Sequence, residues 1–359
     1  FLKESLFNPL VMGDWQEQRE TFAFLPTPLQ SLQKLSTSSE CNVFMKRDDC
    51  TGLAGGGNKT RKLEYLLFDA KKQALLKQKT LVVITAGGVQ SNHCRQTAAA
   101  CAVEDIECHL VLTKNVSDRD SVYFQTGNYQ LNQLLGAKIH LHDKKDRAAA
   151  MEQLAKQLEE KNANVFPYII PLGGSSPVGC LGYVNCAKEI FTQLKEQEIP
   201  PIDCIYLATS SYGTHAGLIV GTSLFAEDIL GYKPSIVGVD VDGASDPKPI
   251  EETVHSLCLG VCKILSGSVM REDVQVLCGY GGAGYGQPTE GSNAWIIKLA
   301  RQEGILLDPV YSGKAFAGMM EVETDKKRNL LFIHTGGLPG IFAYPGLSDQ
   351  NCVQDESSS

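Results

Sequence analysis

The sequence predicts an α/β protein, with two domains of mostly parallel twisted sheets flanked by helices. Three observations predict it. Short β-branched runs, each about a strand long, alternate with helical stretches. The runs are continuously apolar, as strands covered on both faces are. Glycine-rich turns follow them, at the strand ends where folds of this class place their ligands.

Residues 81–85 read as a strand that runs into Gly87-Gly88, and a helix is expected from about Asn92 to Ala102. Residues 109–112 read as the next strand. Residues 148–161 read as a helix, from their content of Ala, Glu, Gln, Lys and Leu and from their apolar spacing. The same grammar gives strands at 204–208, 236–241, 274–278 and 330–334, with a helix after Thr214 and Gly336-Gly337 closing the last strand. Residues 346–359 are polar and end in serines, which predicts a loose tail.

The net charge of −8 argues against a nucleic-acid partner, since phosphate polymers need a positive field. No apolar run approaches the roughly 20 residues that span a bilayer, so no membrane association is expected. The 12 cysteines include no Cys-x-x-Cys pair and no His-containing zinc array, so no metal site is expected. They read as reduced, mostly buried thiols in a reducing compartment, and a cytoplasmic location follows. The first residue is Phe, and the alternative is a chain that has lost an organelle transit segment.

Four glycine-containing segments stand out; one is His334-Thr335-Gly336-Gly337, and the other three can be read for chemistry on their own. In Gly55-Gly56-Gly57-Asn58-Lys59, glycines would let the backbone approach a planar ligand, and an amine fixed in a cleft could become nucleophilic. The spacing is not that of a nucleotide P-loop, because Asn58 separates the last glycine from Lys59. The plain alternative is a surface turn with a solvated lysine. In Gln90-Ser91-Asn92-His93, a strand delivers polar residues to a helix start, which can bind a carboxylate or phosphate. The alternative there is a simple N-cap by Ser91 or Asn92. In Thr209-Ser210-Ser211-Tyr212-Gly213-Thr214, hydroxyls and amides at a helix start suit a phosphate monoester, or else a Ser/Thr-rich turn.

Taken in order, these segments resemble the D-cysteine desulfhydrase and 1-aminocyclopropane-1-carboxylate deaminase family of fold-type-II pyridoxal-phosphate enzymes. The likeness runs through Pro26-Thr27-Pro28, Lys46-Arg47-Asp48-Asp49, Gly56-Gly57-Asn58-Lys59-Thr60-Arg61-Lys62 and Gln90-Ser91-Asn92-His93. It continues through Pro171-Leu172-Gly173-Gly174-Ser175, Asp308-Pro309-Val310-Tyr311-Ser312-Gly313-Lys314 and His334-Thr335-Gly336-Gly337.

The resemblance implies pyridoxal 5'-phosphate as cofactor. Lys59 is then the Schiff-base lysine, Lys62 a cationic contact to the phosphate, and Asn92 the partner of the ring hydroxyl. Ser91, with Asn92 and His93, would face the substrate, and residues 209–214 would form the phosphate cup. Tyr285 and Tyr311 would line the substrate side. The cup is usually richer in glycine, and Ser210 or Tyr212 would be strained wherever a positive φ is needed.

Ser312 and Thr335 are expected beside the ring, where the deaminases carry Glu and Leu, and this choice is desulfhydrase-like. The implied activity is α,β-elimination on a small D-amino acid, D-cysteine giving pyruvate, hydrogen sulfide and ammonia. The alternatives are the cyclopropane deaminase, giving 2-oxobutanoate and ammonia, and a non-catalytic pyridoxal-phosphate-binding protein. The resemblance further implies a homodimer. It also implies a smaller domain of residues 63–174 inserted into a larger one formed by 1–62 and 175–345.

Overall fold

A computed structural model describes residues 15–114, 116, 121–142, 146–323 and 327–347. The expected tail, beyond Leu347, lies outside them. In chain order the elements are β1 (Leu29–Ser31), α1 (Gln33–Thr37), β2 (Asn42–Lys46), α2 (Lys59–Lys77), β3 (Thr80–Gly88), α3 (Asn92–Val103) and β4 (Glu107–Thr113). Next come α4 (Gly127–Leu134), β5 (Lys138–His142), α5 (Arg147–Lys161), β6 (Val165–Ile169), α6 (Pro177–Glu196), β7 (Cys204–Thr209) and α7 (Gly213–Leu230). The remainder are β8 (Ser235–Asp240), α8 (Lys248–Leu265), β9 (Gln275–Leu277), α9 (Glu290–Glu303), α10 (Ser312–Glu323), β10 (Asn329–Ile333) and α11 (Leu338–Ile341).

Two sheets result, with strand orders β1-β2-β10-β7-β8-β9 and β5-β4-β3-β6. Every pairing is parallel except β1 with β2. All four strands of the smaller sheet lie in sequence between β2 and β7 of the larger one. The boundary expected at 62/63 falls within α2, an unbroken helix. The central strands β3 and β7 are buried along most of their length, as their apolar runs predict. No helix among the described residues is long and apolar enough to cross a membrane.

One hydrophobic core joins the sheets. It runs from Val83 and Leu110 through Leu63, Leu66 and Leu67 of α2 and Leu181 and Val184 of α6 to Ile205 and Leu207. Helices α6 and α7 approach closely because α7 carries glycines at the contact. A Cβ at Gly217 would stand 2.5 Å from the Cys180 carbonyl oxygen, and one at Gly221 2.5 Å from the Cβ of Ala187. That close approach fixes the start of α7 relative to α2 and α6, where the site lies.

Candidate active site

A cavity of about 630 Å³ opens where the strands end and the helices begin. Its wall takes Gly87 and Gly88 from the end of β3, Ala208 and Thr209 from β7, Lys59 from the first turn of α2, and Ser91 to His93 from the start of α3. Of the residues singled out in the sequence, Lys59, Ser91, Asn92, His93, Thr209, Ser210, Ser211, Tyr212, Thr214, Tyr285, Tyr311 and Thr335 line it. Lys62, Gly213 and Ser312 do not.

Lys59 opens a 19-residue helix rather than standing in a surface turn. Two of the glycines before it lie close against other backbone. A Cβ at Gly56 would meet the Asp49 carbonyl oxygen at 1.9 Å, and one at Gly336 would meet Gly57 Cα at 2.7 Å. Burial, then the neighbouring charge of Lys62, drives the Lys59 amine well below its ordinary pKa. Its Nζ lies 3.5 Å from Ser211 Oγ.

Lys62 is fully buried behind the wall, donating to the Gly173 carbonyl at 3.2 Å and to Ser175 Oγ at 3.4 Å. Burial lowers its pKa to about 8. A Cβ at Gly213 would stand 2.9 Å from Lys62 Nζ, so this amine lies against the first residue of α7. Neither lysine has an ion-pair partner among the described residues.

Residues 209–214 wrap the start of α7. Tyr212 is its N-cap residue and takes φ 68°, ψ −23°, the left-handed region that favours glycine. Ser210 does not share that conformation; its hydroxyl donates to Asp242 Oδ2 at 2.7 Å. Asn58 donates through Nδ2 to Thr214 Oγ1 at 2.9 Å, tying the α2 and α7 starts together.

Ser91 is the N-cap of α3, its Oγ accepting from the Cys94 amide at 3.2 Å. The capping alternative is therefore true of Ser91, and the residue still lines the cavity. Asn92 Oδ1 accepts from Asn128 Nδ2 at 2.9 Å, and Asn128 also donates to the Gln90 carbonyl. His93 Nε2 lies 2.8 Å from Thr85 Oγ1, while its Nδ1 is buried without a hydrogen-bond partner. Burial, and then the nearby Lys59 and Lys62, hold this imidazole neutral, well below its ordinary pKa.

Tyr285 and Tyr311 meet hydroxyl to hydroxyl at 2.9 Å, with ring centroids 5.9 Å apart and edge-on. Tyr285 lies over the end of β3, since a Cβ at Gly88 would be 3.2 Å from its Cε1. Burial pushes both phenols above their ordinary pKa, so both keep their protons at neutral pH. Lys314, one turn beyond Tyr311, holds the pair in place. Its ammonium donates to the carbonyls of Val241 (3.0 Å), Gly281 (2.7 Å) and Gly284 (3.0 Å), the last two in the loop leading to Tyr285.

Ser312, expected beside the ring, has its hydroxyl engaged elsewhere. It donates to Asp308 Oδ1 at 2.6 Å and accepts from the Asp308 amide at 2.8 Å. Asp308 also accepts from the amides of Val310, Tyr311 and Ser312, so this hydroxyl is part of the cap of α10. Thr335 does line the cavity, and its carbonyl accepts from the Asn58 amide.

Sequence reasoning passed over Asn58, Arg147, Asp242 and the supporting Asn128. Asn58 was read only as a spacer. Arg147 stands one residue before the helix expected at 148–161, and only the cavity gives it meaning.

Residues 21–336 match the family described as pyridoxal-phosphate dependent enzyme. The chain is 40% identical over 325 residues to a D-cysteine desulfhydrase of Klebsiella pneumoniae, covering 89% of this chain and 94% of that one. It is 37% identical over 332 residues to a D-cysteine desulfhydrase of Salmonella typhimurium, covering 91% and 96%. Among solved structures, an ACC deaminase homologue superposes with TM-score 0.77 at 36% identity, over 91% of this chain and 94% of that one. A hydrogen sulfide-producing enzyme from Fusobacterium nucleatum superposes at 0.61 with 17% identity, over 89% and 97%, and shares the fold.

The cavity fits a phosphorylated aldehyde. The buried Lys62 amine, without an acidic partner and lying against the first residue of α7, forms with the hydroxyl-rich start of that helix a seat for a dianion. A lysine nitrogen within that cavity, its pKa driven down by burial, is suited to condense with an aldehyde.

Proposed function

The chain belongs to the pyridoxal-phosphate dependent enzyme family, and we propose that it catalyses α,β-elimination on a small β-substituted D-amino acid. D-Cysteine is the first candidate, giving pyruvate, hydrogen sulfide and ammonia. The observation that carries this reading is the lining of one cavity: a buried amine at Lys59, its pKa driven well below the ordinary value by burial, together with two phenols hydrogen-bonded to each other. The likeness to D-cysteine desulfhydrases over most of the chain supports sulfur as the departing atom.

In this reading Lys59 carries the cofactor, Lys62 and the 209–214 loop hold its phosphate, and Asn92, steadied by Asn128, contacts its ring hydroxyl. Thr335 stands at the ring, and Ser312 shapes that wall through Asp308. Pyridoxal phosphate supplies an electron sink for the pair released when the α C–H bond breaks. Ser91 and the amides of the α3 start orient the substrate carboxylate. His93 stays neutral and braces that seat through Thr85. Lys59 Nζ, unprotonated because it is buried, accepts the α-proton. The Tyr285–Tyr311 pair passes a proton to sulfur as the Cβ–S bond breaks. The released 2-aminopropenoate then tautomerises and hydrolyses in water to pyruvate and ammonia.

The cyclopropane deaminase is the second reading, supported by the 36% identical neighbour described as an ACC deaminase homologue. Against it, Asp242 is the single carboxylate among the described residues lining the cavity, and it is bonded to Ser210 of the cup. Product analysis on one holoenzyme preparation separates the readings. Pyruvate and sulfide from D-cysteine are expected, with little from L-cysteine. Formation of 2-oxobutanoate from the cyclopropane acid without turnover of D-cysteine would overturn the proposal. A yellow protein inert to every substrate would favour a non-catalytic cofactor-binding role.

A further inference from the structure

Arg147 is the first residue of α5, directly after its N-cap Asp146, whose side chain accepts from the Ala149 amide. Its Nε donates to Thr113 Oγ1 at 2.9 Å, and Thr113 Oγ1 in turn donates to the Gly87 carbonyl at 3.3 Å. Gly87 belongs to the strand end that lines the cavity, as Arg147 itself does, so the guanidinium is braced on the cavity wall. Its two Nη atoms have no hydrogen bond or ion pair among the described residues. Arg147 lines the cavity, and a planar fork held by one nitrogen matches a carboxylate, sulfonate or similar oxyanion.

The surroundings separate this cation from the two lysines. Lys62 lies against the first residue of α7, on the phosphate side. Arg147 is instead tied through Thr113 to Gly87, where a Cβ would stand 2.5 Å from Ser91 Oγ and 2.8 Å from Cys94 Sγ, and the next residue, Gly88, lies against Tyr285. It therefore stands toward the tyrosines and the α3 start. The α3 amides and the Ser91 hydroxyl already provide for the substrate α-carboxylate. A second, unpaired cation there is suited to a second negative charge.

We propose that Arg147 forms an anion subsite that reads negative charge on the β-substituent of the substrate. The preferred substrates are then β-substituted alanines whose leaving group is anionic at or beyond the sulfur, from thiolate to sulfur oxyanion. This deepens the function proposed above and rests on it for the direction in which the substrate lies. Asp242 limits the subsite. Its Oδ1 is buried without a partner in the same cavity, so it repels an anion that strays from the guanidinium.

The test uses the holoenzyme and probes that cannot react, because they have no amine. Calorimetry compares 3-sulfopropanoate with pentanoate, which keeps the carboxylate and replaces the sulfonate with an apolar end. Wild type is expected to bind the sulfonate at least about tenfold more tightly, the scale of a charge-assisted pair. Arg147→Gln should bring the two probes within about twofold, Arg147→Lys should keep part of the preference, and Asp242→Asn should enlarge it. No preference in wild type, no binding of the sulfonate, or a preference that survives Arg147→Gln overturns the subsite. Turnover of D-cysteine is read separately: turnover without sulfonate preference removes the subsite and leaves the function, and the reverse result removes the function alone.

Discussion

Arg61 and Lys62 are neighbours on the first turns of α2, both buried, and they meet opposite surroundings. Arg61 is wrapped in acids. It donates to Asp48 at 2.8 and 2.9 Å and to both oxygens of Glu189 at 2.9 Å, and Lys46 joins through Glu189. Burial opposes its charge, yet Asp48 and Glu189 hold its pKa well above the ordinary value. Lys62, one residue on, has a carbonyl and a hydroxyl for company and no acid, and its pKa falls to about 8. A compensated buried cation is architecture, which fixes where α2 begins. An uncompensated one costs free energy until an anion arrives, and it marks the ligand side of the helix.

The sharpest way to break this contrast is to strip the compensation. Asp48→Asn leaves Arg61 short of a charge partner in a dry site and should destabilise the protein by about 3–5 kcal/mol. Denaturant unfolding reads this, and a loss below 1 kcal/mol would deny the network its structural role.

The reverse change tests the other face. Lys62 titrates at about 8 when folded and at the ordinary 10.5 when unfolded. Between those values the unfolded chain binds the extra proton, so the stability of cofactor-free protein should climb with pH, by up to roughly 3 kcal/mol from this group. Comparing wild type with Lys62→Met at pH 8 and pH 10 isolates that slope, which the variant should lack. The variant should also bind pyridoxal phosphate at least about tenfold more weakly.

Acid probes the compensated side again. Burial pushes the Asp48 carboxyl up, but Arg61 and Lys46 overcome this and hold it at about 2 against the usual 3.8. Its contribution of about 2 kcal/mol is complete above pH 3.8 and is lost as pH falls through 2. Acid unfolding curves of wild type and Asp48→Asn should converge over that window.

The smallest effect concerns the phosphate side. Tyr212→Ala and Tyr212→Gly both remove the ring, but only glycine is at ease at φ 68°. The glycine variant should be the more stable of the two by about 1 kcal/mol, readable from thermal unfolding.

The sheets were legible because β3, β7, β8 and β10 are apolar runs buried on both sides, and such runs declare themselves without context. β5 was not read, since Lys-Ile-His-Leu-His at a sheet edge is only half-buried and alternates polar with apolar. α2 was missed because its N-cap Asn58 makes no side-chain cap and its first turn is charged, for reasons that lie in Asp48, Glu189 and the cavity.

The site was legible as motifs at strand ends. Asn128 behind Asn92, Arg147 braced on Thr113, and Ser312 turned to Asp308 were not, because each depends on which distant segment the fold brings alongside. Of the two residues that replace glycine in the cup, the sequence could flag both, and backbone geometry singles out Tyr212.

The central claim is that Lys59 carries the cofactor while Lys62 serves its phosphate. Borohydride reduction of the holoenzyme, followed by proteolysis and mass mapping, tests it most directly. The phosphopyridoxyl group should be found on Lys59. Its recovery on Lys62, or on any other lysine, would contradict the account.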